Sequence, residues 1–254
     1  LDTDNTASQS VISRPSDTGF NEAMVDSWDI SGLNTLQYHT PADLLPYGTT
    51  FKVAVAPSAS GAKSSSNSGG DENTAANGSK VTQYQIKTAP IDGLGIGASY
   101  LERSGENGVQ GYEQGGAYVT YKVGNFGVGY GQHRISNNVT SVNDGVAKAT
   151  EITTAAVANT IRRYDNESIS VSFAVNDALT LSAERETSEA YKRTVAAGTA
   201  ADTNNNVEME IQSIQAAYTM GGMTLSVATK DIEKANYTDK ADLNETIVAV
   251  SMAF

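Results

Sequence analysis

The 254-residue chain has no cysteine, five prolines, one tryptophan and two histidines. Without cysteine there is no disulfide framework and no thiolate metal site. The histidines, His39 and His133, are too few and too far apart to define a metal centre. No stretch approaches the roughly 20 apolar residues that a transmembrane helix needs. If the chain crosses a membrane it must do so with strands closed into a barrel, since hydrocarbon leaves no unpaired backbone group tolerated. Its negative mean hydropathy does not oppose that, because barrel strands turn only half their residues toward lipid. Basic residues are in the minority. With 17 Lys and Arg against 29 Asp and Glu, the formal net charge is -12, which makes nucleic acid an unfavourable partner.

Motifs for chemistry fail on inspection. Gly93, Gly95 and Gly97 imitate a nucleotide loop, but no helix follows them, and small residues on the inner row of a strand leave lumen space instead. Asp2, Thr3, Asp4 and Asn5 begin like a calcium loop, yet position twelve is Ser13 and the central glycine is missing. Calcium held by loop carboxylates stays open; no other cofactor is expected. No G-x-S-x-G elbow supports a catalytic serine, and the chain is read as a non-enzyme.

What is present is alternation. In ETIVAVSMAF (245–254), Thr246, Val248, Val250, Met252 and Phe254 form an apolar row, and Ala249, Ser251 and Ala253 a small, weakly polar one. A period of two is a strand, and ten tilted residues suffice to cross a hydrocarbon layer. Ten similar strands precede it, from Leu36 onward. Their connections alternate between short turns, such as Gly124-Asn125, Asn176-Asp177 and Gly221-Gly222, and longer polar loops. The long loops are read over 58–79, 135–159, 187–206 and 231–243. A soluble sandwich has no reason to sort loop length by parity, whereas an outer-membrane barrel does. Aromatics at Phe51, Tyr121, Phe126, Tyr218 and Phe254 fall near the turn ends, where a lipid-interface girdle would be. Strand parity puts Lys52, Lys87, Arg103, Lys122 and Glu184 on the inner row with Gln37, His39 and Gln85. Residues 1–32 have no sustained period.

The stretch NTLQYHTPADLLPYGTTFKVAVAPS resembles a strand, turn and strand of Gram-negative general diffusion porins. GGAYVTYKVGNFGVGYG, RRYDNESISVSFAVNDALTLSAERETSE and IQAAYTMGGMTLSVATK resemble later hairpins of that family, especially its alphaproteobacterial branch. The resemblance implies an all-β, antiparallel transmembrane barrel of sixteen strands, of which the eleven readable here are the sixth to the last. Residues 1–32 would be the constriction loop, with Asp17, Glu22, Asp26 and Asp29 facing a basic wall of Lys52, Lys87, Arg103 and Lys122. Residues 33–254 would be barrel strands with periplasmic turns and extracellular loops. On this expectation the first five strands lie outside the sequence; were it complete, the N-terminal stretch would have to supply a twelfth strand. Phe254 would be the barrel-closing residue read by the assembly machinery. The implied protein is a homotrimer in the bacterial outer membrane, in contact with its lipid, that passes ions and small hydrophilic solutes passively. The acidic balance points to cation preference. The alternative reading is a surface-exposed, adhesin-like β-domain whose Ser- and Asn-rich loops bind a partner.

Overall fold

The computed structural model describes residues 35–41, 43–57, 80–103, 112–136, 159–195 and 202–252. The expected constriction loop, with Asp17, Glu22, Asp26 and Asp29, lies outside them, as do the calcium-like stretch at Asp2 and the closing Phe254.

Among the described residues eleven strands follow in chain order: β1 (Leu36–His39), β2 (Thr50–Ala56), β3 (Val81–Thr88), β4 (Leu94–Arg103), β5 (Tyr112–Val123), β6 (Phe126–Ser136), β7 (Asn159–Ala174), β8 (Leu179–Val195), β9 (Asp202–Met220), β10 (Met223–Glu233) and β11 (Leu243–Met252). They form one antiparallel sheet whose spatial order is the sequence order, so every connection is a hairpin. One residue row of this sheet is exposed and apolar and the other is buried and largely polar. On β7, Ile169 and Val171 are 52% and 49% exposed, while Ser168 and Ser170, which alternate with them, are each 1% exposed. The usual globular order, apolar inside and polar outside, is reversed. No second sheet covers the polar row among the described residues, so the sheet buries it by curling on itself, as the right-handed twist of adjacent strands allows.

The short turns follow their residues. Asn176 lies just past the end of β7, and its Oδ1 accepts hydrogen bonds from the N–H groups of Ala178 and Leu179, both at 2.9 Å, closing the turn before β8. The turn between β1 and β2 contains a 3-10 turn at Pro46–Gly48, and Thr49 Oγ1 donates to the Pro46 carbonyl at 2.6 Å. Each of four short turns is also tied to the hairpin that follows it. The carbonyls of Tyr47, Gly93, Asn125 and Ala178 accept from the backbone N–H of Ala89, Lys122, Ala174 and Thr219 at 2.8–3.0 Å.

The long-loop end departs from the sequence reading. The stretch 187–206, expected as loop, is mostly strand: β8 runs on to Val195 and β9 begins at Asp202. Likewise β7 starts at Asn159, and β10 extends through Lys230 to Glu233. The loop between β10 and β11 carries a further 3-10 turn at Ala235–Tyr237.

Candidate functional site: the inner wall of the curved sheet

The outer face divides into two zones. Next to the short turns it is apolar across the sheet, with Val123, Phe126, Phe173, Leu181, Tyr218, Leu225 and Val250 exposed. The rings of Phe126 and Phe173 touch there, with centroids 4.6 Å apart. Toward the long loops the same row turns charged. Arg134 donates to both Asp165 oxygens at 2.7 and 3.0 Å, and Arg185 to both Glu210 oxygens at 2.8 and 2.6 Å. Between the zones Tyr130 donates from its hydroxyl to Glu167 at 3.2 Å. An apolar band edged by tyrosine and then by ion pairs matches hydrocarbon, interface and water in turn. Exposed pairs of this kind add little stability each, about 0–1 kcal/mol.

The inner wall is built by register. One row crosses Gln85, Ser99, Gly116, His133, Asn166 and Ser188 from β3 to β8. The next toward the turns crosses Lys87, Gly97, Tyr118, Gly131, Ser168 and Glu186. Glu184 and Glu186 are both buried here, and Ser168 donates to Glu184 at 3.2 Å. Gly97 does not leave open space as the sequence suggested: a side chain on it would meet the ring of Tyr118, which occupies that volume.

Lys52, Lys87, Arg103 and Lys122 all fall on the inner-row parity of their strands. They do not share a row. Lys52, Lys87 and Lys122 sit close to the short-turn ends, while Arg103 closes β4 at the long-loop end opposite Val81. Glu184 and Gln85 are buried on the same face, and His39 is exposed on the short strand β1. The sequence reading missed Lys230, which is buried on the inner parity of β10, and Glu186 on β8. Continuing the alternation past Ala228 and Glu184 would have found both. Among the described residues, no three His, Asp or Glu side chains are grouped to hold a metal ion.

At the long-loop end the inner wall is apolar. Ile135, Tyr164, Ala190 and Met209 cluster there with Tyr237 of the β10–β11 loop, flanked by Val207 and Ile232. The loop therefore folds back over the wall, across β9 to β7. Tyr237 packs against Tyr164 with the rings tilted by 43° and their centroids 5.5 Å apart, and its hydroxyl lies 2.6 Å from Ser188 Oγ.

No protein-family model and no curated protein matches the chain. Solved structures do. A porin refined at 1.8 Å resolution is similar with a TM-score of 0.54 and 14% identity over 87% of this chain, and the chain spans 61% of that protein's length. OmpF of Salmonella typhi, solved in complex with daunomycin, is similar with a TM-score of 0.62 and 11% identity over 96% of this chain and 70% of its own. At such identities the likeness is one of architecture, and it agrees with the two-faced sheet: the chain folds as the wall of a porin-type transmembrane β-barrel.

Proposed function

We propose that the protein is an outer-membrane porin, a water-filled channel through which ions and small hydrophilic solutes diffuse passively, working in the bacterial outer membrane as a homotrimer. The observation that carries this reading is the reversed sheet, with lipid-compatible side chains outward and Ser, Gln, Lys and Glu inward. A channel lined this way needs no covalent chemistry; width and wall charge set what passes.

We also infer a cation preference. It rests on residues 1–32 lying across the lumen as an acidic constriction that faces the basic residues of the wall. Among the described residues the wall carries Lys52, Lys87, Arg103, Lys122 and Lys230 against Glu184, Glu186 and Glu245, a basic balance, so the preference is assigned to Asp17, Glu22, Asp26 and Asp29. The test is single-channel recording of the purified protein in a planar bilayer under a salt gradient. Stepwise conductance with a cation-leaning reversal potential is expected, and Glu22→Gln with Asp26→Asn should move that potential toward anions. Protein shown to be inserted but giving no conductance would overturn the porin reading; an unmoved potential in the double variant would remove those acids from the constriction.

A further inference from the structure

The β10–β11 loop holds a backbone it would not adopt alone. Lys234, Tyr237 and Lys240 have φ of 51°, 54° and 66° without being glycine, a conformation that other contacts must enforce. The loop is closed by its own hydrogen bonds, Ala235 N–H to the Ala241 carbonyl at 2.7 Å and Lys234 N–H to Asp242 Oδ1 at 3.1 Å, and is anchored to the inner wall by Tyr237. Ser188 Oγ donates its single hydrogen to Asn166 Oδ1 at 2.5 Å, so the Tyr237 hydroxyl is the donor to Ser188. Asn166 pairs in register with Ser188 on one side and with His133 on the other, which makes one row across β6, β7 and β8. These three residues are 3%, 4% and 0% exposed, from His133 to Ser188.

Within this row the Nε2 atom of His133 and the Nδ2 atom of Asn166 have no hydrogen-bond partner. Buried polar atoms in folded proteins are almost always paired, so these two orphans, with Ser99 Oγ farther along the same row as a third, mark hydrogen-bonding capacity kept for something else. The row offers an imidazole, an amide and a hydroxyl, with the rings of Tyr164 and Tyr237 packed beside it and no carboxylate or ammonium in it. At about 4.8 Å between strands it spans roughly 10 Å. Neutral donors and acceptors next to an aromatic face suit a ligand with many hydroxyls and an apolar C–H face.

We propose that the His133–Asn166–Ser188 row is a binding subsite for a neutral polyhydroxylated solute, a hexose or a polyol of that size, and that Tyr237 is its lid. The Tyr237 hydroxyl stands on Ser188 where a solute hydroxyl would stand. The proposal rests on the porin reading only for the route by which solute arrives; binding itself needs no conduction.

The test is equilibrium dialysis of radiolabelled glucose and sorbitol against the detergent-solubilised full chain, with gluconate as the charged control, and single-channel recording of the same preparation. Saturable binding of glucose and sorbitol, stronger than that of gluconate, is expected. Asn166→Ala and His133→Ala should each weaken it about tenfold, the scale of one lost hydrogen bond to a buried group. Tyr237→Phe keeps the ring and removes the competing hydroxyl, so it should tighten binding severalfold. Heat-modifiable mobility on a gel confirms that each variant is folded. Absence of saturable binding to the unmodified chain, or unchanged affinity in both alanine variants, overturns the subsite; weaker binding by Tyr237→Phe overturns the lid. Channels without sugar binding sink this proposal alone, and binding without channels sinks the porin reading alone.

Discussion

Val171→Arg is expected to cost the protein about 2–4 kcal/mol of stability in lipid vesicles, the penalty for a cation at the bilayer midplane on a barrel's outer face. Val171 is 49% exposed and sits in the middle of the apolar band, between Phe173 and Ile169 on the outward row of β7. In a water-soluble protein an arginine at so open a position would change stability by no more than about 0.5 kcal/mol. The substitution thus separates a lipid-facing wall from a soluble β-domain by sign and size. Val175→Arg, near the β7–β8 turn, serves as the depth control and should cost about 0–1 kcal/mol. Urea titration in vesicles, read by far-ultraviolet circular dichroism and by gel mobility, measures both. A Val171→Arg protein as stable as the unmodified one would mean that this face does not meet hydrocarbon.

The second large effect is expected at Gly93→Val, with a loss above about 3 kcal/mol. Gly93 holds φ +77°, and its carbonyl accepts the Lys122 N–H at 2.8 Å, docking the β3–β4 turn on β5. The left-handed conformation alone costs an L-residue about 1–2 kcal/mol, and a β-branched one more. The added Cβ would also run into the Lys122 carbonyl oxygen, which is backbone and has no freedom to swing away. Relief would require the turn to leave β5 and surrender the hydrogen bond. Gly124 gives the contrast: its φ is +55° and nothing lies within 4 Å of a side chain there, so Gly124→Asn should cost under about 1 kcal/mol. The same vesicle titration applies, and equal losses at the two positions would refute the steric argument.

The membrane-embedded half of the sheet was legible because lipid imposes it. Where one row must be apolar, as in Phe126, Val128 and Tyr130 against three glycines, hydrophobicity itself has the period of the strand. Beyond the apolar band that signal vanishes while the ladder continues. On β8, Arg185, Thr187 and Glu189 alternate with Glu186 and Ser188, so both rows are polar and the stretch reads as loop. Cross-strand pairs such as Arg185 with Glu210 hold the extension, and no local pattern announces a partner 25 residues away. Glu186 and Lys230 were missed for the same reason. The inward fold of Tyr237 had no sequence signature, since the partners of its hydroxyl and its ring, Ser188 and Tyr164, lie on strands 49 and 73 residues earlier. The parity of Lys52, Lys87, Arg103 and Lys122 could be read from sequence; their scatter over different rows needed the register.

The ties between successive turns give the sheet a mechanical grain. Among the described residues each strand pairs only with its neighbours in the chain, and each of four turns is stitched to the next hairpin by one backbone hydrogen bond. Load applied at the C-terminal end would meet these elements one after another, as in a linear array with nearest-neighbour coupling. Extraction by a probe tip would then proceed as a series of force peaks, with β10 and β11 leaving first and each later hairpin yielding only after the one beyond it has gone.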